Sequence, residues 1–107
     1  MHIDLKFHNL ESSEAIKSYA SDKLGKLQKY LRAPLDVHVT FSVERFMHCV
    51  DVTFNAGAEH LQARAEEVDM YASIDVVVDK IHRQINRTKE QHHNHRRGPL
   101  PGDSAGE

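Results

Sequence analysis

The chain has 107 residues, enough for one domain and one core. Charged residues make up 28% and aromatics 7% with no Trp, so the core is aliphatic and the chain is of globular type. The formal charge of −2 argues against a uniformly basic coat, but the charge is segregated. Residues 1–75 carry −4, residues 76–97 carry +4 and the last ten carry −2. The single Cys49 excludes an intrachain disulfide and a cysteine zinc site, and points to a reducing compartment. No apolar run approaches the ~20 residues needed to cross a bilayer, and the alternating start lacks a signal-peptide core. A cytoplasmic location follows as the expectation.

In chain order, Ile3, Leu5 and Phe7 alternate with Asp4 and Lys6 as in a half-buried strand. Ser13 is placed to cap a helix whose apolar stripe runs Ile16, Ala20, Leu24, Leu27 and Leu31, ending before Pro34. Val37, Val39, Phe41 and Val43 form a second strand pattern, and Val50, Val52, Phe54 and Ala56 a third. Asn55-Ala56-Gly57-Ala58 is a hairpin signal, since Gly57 tolerates positive φ. A weaker strand follows with Leu61, Ala63 and Ala65 inward, its small residues implying close packing over that end of the sheet. Asp69 is placed to cap a second helix with the stripe Met70, Ile74, Val77, Val78, Ile81 and Ile85. The helical pattern fades after about Lys89. Gly98-Pro99-Leu100-Pro101-Gly102 then ends ordered structure. The domain is therefore assigned to residues 1–95, and 96–107 to a disordered tail. The fold class is α+β, a two-layer β-α-β-β-β-α sandwich with both helices on one face of a four-stranded sheet. The other sheet face is left to solvent, as antiparallel strands allow.

On a helical wheel with Ile74 at 0°, Lys80, Arg83 and Arg87 fall between about 180° and 240°. Asp75 and Asp79 fall at about 100° and 140°, on the other flank. On the first helix Lys23, Lys26 and Lys29 step along one flank beside Tyr19 and Tyr30. Were the helices side by side, the two rows would join into a basic surface suited to RNA phosphates. Solvated helix faces are the plainer reading of the same rows. His92, His93 and His95 lack a Cys or carboxylate set beside them, so no metal or other cofactor is expected. Cys49 and His48 are strand neighbours that point to opposite faces, which makes them a poor nucleophile–base pair. No phosphate-cradling loop or nucleophile elbow is present, and neither an enzyme nor a small-molecule substrate is indicated.

Asp69-Met70-Tyr71-Ala72-Ser73-Ile74-Asp75, followed by Asp79-Lys80-Ile81-His82-Arg83-Gln84-Ile85, resembles the bacterial ribosome hibernation-promoting factors. That family is also labelled sigma-54 modulation or ribosomal subunit interface proteins. Its pattern is Asp-Met-Tyr-Ala-x-Ile-Asp, then Lys-(Ile/Leu)-x-Arg-Gln-(Ile/Leu), and Ser73 occupies the variable site. Met1 to Phe7, Glu14-Ala15-Ile16 and Lys26-Leu27-x-Lys29-Tyr30 also fit, so the resemblance covers about residues 1–95. It implies a double-stranded-RNA-binding-like domain, monomeric when free, that binds the small ribosomal subunit and its ribosomal RNA. There it overlaps the messenger RNA and the tRNA A and P sites and silences translation in stationary phase or stress. The RNA-contacting residues it implies are Lys23, Lys26, Lys29, Lys80, Arg83, Arg87 and Lys89, with Arg96 and Arg97 beyond them. In the same terms, Asp69 is a helix cap and Tyr71 a structural or contacting residue. Long members carry a ribosome-pairing C-terminal domain that 107 residues cannot contain. The tail from Gly98 to Glu107 leaves open whether ribosomes are paired or held singly. The competing reading is a protein-binding modulator of transcription that uses the exposed sheet face.

Overall fold

A computed structural model describes residues 1–32 and 34–94, with side chains through Arg87. The element order is β1 (His2–His8), α1 (Glu14–Gly25), a 3-10 segment (Lys26–Tyr30), β2 (Asp36–Glu44), β3 (Met47–Ala56), β4 (Glu59–Glu67) and α2 (Met70–Asn94). The expected tail, and with it His95, Arg96 and Arg97, lies outside the described residues; so do the side chains of Lys89, His92 and His93.

The four strands lie in sequence order in one sheet. β2, β3 and β4 form an antiparallel meander. β1 differs from the antiparallel expectation: it pairs parallel to β2, Ile3 facing Val37 and Phe7 facing Phe41. Its connection to β2 is a helix, and such a crossover returns the chain in the same direction. The alternation of apolar residues is the same for either pairing, so only the connection decides. The β3–β4 hairpin turns at Gly57, whose φ is 61°, as its sequence demanded. The β2–β3 hairpin turns at Arg45, also left-handed at 58°.

Both helices cover one sheet face. Val37, Val39, Phe41, Val50, Val52 and Phe54 point from the strands into the core, against Ala20, Leu24 and Leu27 from the first helical region. Met70, Ile74, Val77, Ile81 and Ile85 complete it from α2, which lies chiefly over β4 and β3. Leu61, Ala63 and Ala65 meet it there, and their small size lets the helix approach. Each fully buried Ile, Val, Leu or Phe contributes on the order of 1.5–3 kcal/mol. Among the described residues no helix is long and apolar enough to cross a membrane.

The helix starts follow their caps. Ser13, extended at φ −134°, accepts from the Ile16 N–H at 3.2 Å. The helix ends depart from the apolar pattern. α1 closes at Gly25 and the stripe continues as a 3-10 turn, because Leu24 and Leu27 are spaced by three residues, a spacing both helix types satisfy. α2 continues to Asn94 rather than fading near Lys89.

The opposite sheet face carries polar side chains. Arg64 spans it, donating to Asp51 of β3 at 2.6 Å and to Glu66 at 2.8 Å. These two carboxylates hold the guanidinium pKa above its usual value, Glu66 first and Asp51 second. Cys49 lies on this face opposite Glu66, free and fully buried. His48 points the other way, into the helical side, as the strand period requires.

Candidate nucleic-acid interface

The segment Asp69 to Asp75 is the joint that fixes α2. The Asp69 carboxylate accepts from the Ala72 N–H at 2.9 Å, and its carbonyl accepts from the Ser73 N–H at 3.0 Å. This is the expected N-cap. Met70 and Ile74 are buried in the core. Ser73, the variable position of the pattern, is the one fully buried polar side chain among the described residues. It donates to the His48 carbonyl at 2.6 Å, tying α2 to β3. Asp75 reaches across to α1, accepting from the Tyr19 hydroxyl at 2.7 Å and lying 3.8 Å from the Lys23 ammonium. Tyr71 packs edge-on against Tyr19, ring centroids 5.0 Å apart.

The seam between the helices is therefore aromatic, with cations above it. Farther along, Tyr30 stacks on His82 at 4.7 Å. The Lys23 ammonium lies 5.3 Å from the Tyr19 ring centre and the Lys29 ammonium 5.2 Å from that of Tyr30. The hydrogen bond to Asp75, aided by desolvation and the Asp75 and Asp69 charges, raises the Tyr19 phenol above its ordinary pKa.

The helices do lie side by side, but α1 and the 3-10 segment after it meet the flank of α2 that carries Tyr71, Asp75 and His82, at about 60–100° on the wheel. Lys80 lies on the far flank and turns down to the sheet edge, donating to the Arg64 carbonyl at 2.7 Å. Gln84, one turn on, donates to the Gln62 carbonyl at 2.7 Å. Together they satisfy backbone acceptors along the outer edge of β4. Arg83 projects between the flanks and pairs with Asp79 at 2.8 Å. Arg87, Lys26 and Lys29 are exposed. Among the described residues Arg87 and Lys26 have no partner, and Lys29 has only its contact with the Tyr30 ring.

The two cationic rows thus flank a strip containing Asp75 and Asp79 instead of merging. Three of the seven expected contact residues, Lys26, Lys29 and Arg87, face solvent with no carboxylate attached. Lys23, Lys80 and Arg83 are engaged with the protein itself, and the Lys89 side chain is not among those described. Sequence reasoning missed the tasks of Asp75, Ser73 and Gln84. The signal for Asp75 was present, since Tyr71, Asp75 and His82 share one wheel flank and so mark the side turned to α1. Among the described residues no group of three or more His, Cys, Asp or Glu is placed to hold a metal ion.

Comparison with known proteins agrees with this architecture. Residues 3–93 match the family model described as sigma 54 modulation protein / S30EA ribosomal protein. A protein named ribosome hibernation promoting factor from Salmonella typhimurium is 35% identical over 91 residues, covering 85% of this chain and 96% of the relative. One of the same name from Azotobacter vinelandii is 30% identical over 104 residues, covering 97% of each. The crystal structure of the Thermus thermophilus Protein Y N-terminal domain superposes with a TM-score of 0.77 at 29% identity, covering 82% of this chain and 99% of that one. A ribosomal subunit interface protein from Coxiella burnetii shares the fold, with a TM-score of 0.73 at 23% identity and coverage of 84% and 99%. With the family pattern matched from the first strand to the end of α2, and its motif residues building the helix joint, the chain belongs to the sigma 54 modulation protein / S30EA ribosomal protein family.

Proposed function

We propose that the chain is a translation regulator that binds the small ribosomal subunit in the channel used by messenger RNA and by A- and P-site tRNA. Bound there, it inactivates ribosomes during stationary phase or stress. Family membership across residues 3–93 carries this reading, because the relatives it rests on are named for ribosome hibernation. The helical layer supplies the chemistry: Lys26, Lys29 and Arg87 offer cations to phosphate oxygens, and Lys23, Lys80, Arg83 and Lys89 stand along the same two helices. Tyr19, Tyr30 and Tyr71 stiffen the seam between them. Recognition is of backbone and shape, which suits structured RNA better than base reading does. The mechanism is occlusion by a rigid domain, with no covalent step and no cofactor, and the site of action is the cytoplasm.

The test is binding of the purified chain to small subunits, free and preloaded with messenger RNA and tRNA. Tight binding to free subunits, reduced by preloading, is the expected result. Equal binding to both, or none, overturns the placement. Sucrose gradients of stationary-phase cells with and without the chain then report whether inactive ribosomes accumulate as pairs or as single particles.

A further inference from the structure

We propose that the open edge of β1 pairs with the β1 edge of a second copy of this chain, giving a two-fold symmetric dimer with one continuous sheet. This goes beyond ribosome binding and does not depend on it. It also departs from the monomer that the family resemblance implies.

The two edges of the sheet are treated differently. β4 is covered on its outer side by Lys80 and Gln84, which donate to its carbonyls. β1 has no such cover: among the described residues nothing bonds to its outward backbone groups. The His2 N–H is directed at the Leu35 carbonyl, on the β2 side, at 2.9 Å. Strand geometry then directs the backbone of Asp4, Lys6 and His8 toward β2 as well. The N–H and C=O groups of Ile3, Leu5 and Phe7 point outward. Their side chains face the core yet are only half-buried. An uncovered edge of this kind is a template for another strand.

The sequence of the strand selects the partner. When His2-Ile3-Asp4-Leu5-Lys6-Phe7-His8 is laid antiparallel on itself about Leu5, Ile3 faces the second copy's Phe7 and Leu5 faces the second copy's Leu5. All of these are outward hydrogen-bonding residues, so the ladder closes. Asp4 then faces the second copy's Lys6, and Lys6 its Asp4, at the non-hydrogen-bonded positions where side chains approach most closely. A shift of the centre to Asp4 opposes two Asp4 carboxylates, and a shift to Lys6 opposes two Lys6 ammoniums. A shift by half a step directs the backbone groups of one strand away from the other. All of these registers are isologous; of those centred on Asp4, Leu5 and Lys6, the one about Leu5 satisfies both charge and hydrogen bonding. Asp4 also lies 3.6 Å from the His38 ring on the neighbouring strand, so its carboxylate is held at this face.

The test is sedimentation of the full chain from about 10 µM to about 1 mM, a range that brackets weak association. The expected result is a mass rising from 12.2 kDa toward twice that value. Asp4→Lys sets ammonium against ammonium at both cross-strand charge pairs, and Lys6→Asp sets carboxylate against carboxylate there. Each variant alone is expected to dimerise about tenfold more weakly or worse. Mixed one to one, the two variants regain complementary pairs and dimerise again, which also shows that both fold. Protection of the Leu5 amide from hydrogen exchange rises with wild-type concentration. A wild type that is monomeric throughout, a dimer indifferent to both substitutions, or a mixture no heavier than its components each overturns the proposal.

Discussion

Replacement of Arg83 and Arg87 by Gln together tests the helical layer as the RNA-contacting surface without disturbing the sheet edge that Lys80 covers. If six cations, Lys23, Lys26, Lys29, Lys80, Arg83 and Arg87, each neutralise one phosphate, the logarithm of affinity falls with the logarithm of salt at a slope of about −4 to −5. Losing two contacts flattens that slope by about 1.5 and weakens binding at low salt by roughly thirtyfold, taking about 1 kcal/mol per exposed charge-assisted contact. The two arginines are not equivalent. Arg83 is held by Asp79 at 2.8 Å, with the side chains 71% and 54% exposed, and must release or share that carboxylate to meet a phosphate. An exposed pair of this spacing contributes about 0.3–0.5 kcal/mol, a factor of about two in affinity. Arg87→Gln is therefore expected to weaken binding about twofold more than Arg83→Gln, and Asp79→Asn to strengthen it about twofold. The assay is a binding titration of labelled protein with purified small subunits across a salt series. A double variant with the wild-type slope, or an Asp79→Asn variant that binds less well, refutes the reasoning.

Three other outcomes follow from the interior and the seam. Asp75→Asn removes the carboxylate that raises the Tyr19 pKa, so spectrophotometric titration should show that phenol ionising at lower pH than in the wild type. Because the folded-state pKa lies above the unfolded one, the stabilisation from this contact is complete below about pH 10 and is lost as pH rises through the folded value. In the variant the alkaline loss of stability should shrink. Ile81→Ala, at a fully buried site under the sheet, should lower the unfolding free energy by about 2–5 kcal/mol in urea titrations. Ser73→Ala should cost about 1 kcal/mol in the same assay, through loss of the bond to the His48 carbonyl, with ribosome binding unchanged below the melting range.

Much of the fold was legible because its signals are local. Alternation located the strands, Ser13 and Asp69 declared the helix starts, and Gly57 fixed a turn. What escaped depends on neighbours distant in sequence. The parallel pairing of β1 leaves no mark on the period of two, and the 3-10 turn after Gly25 preserves the stripe of the helix before it. The site was legible in composition but not in arrangement. A helical wheel ranks Lys80, Arg83 and Arg87 together, yet it does not say which flank meets the sheet and which meets α1. Once α1 took the Asp75 flank, Lys80 became a cover for the β4 edge and Arg83 a partner of Asp79. Ser73 looked variable because its task, a bond to a carbonyl on β3, has no signature in the segment around it.

The parallel pairing of β1 also dictates the order in which the chain can assemble. β2, β3 and β4 are joined by turns of two residues and can zip by local contacts. Ile3 meets Val37 only after the whole of α1 has been looped out between them. The entropy of closing that loop falls on one strand alone, and contacts of long sequence separation form slowly. β1 is thus the natural last arrival in folding and the natural first departure in unfolding. A chain growing from the ribosome makes β1 before the strand it pairs with: β1 must wait, unpaired, until β2 has been synthesised.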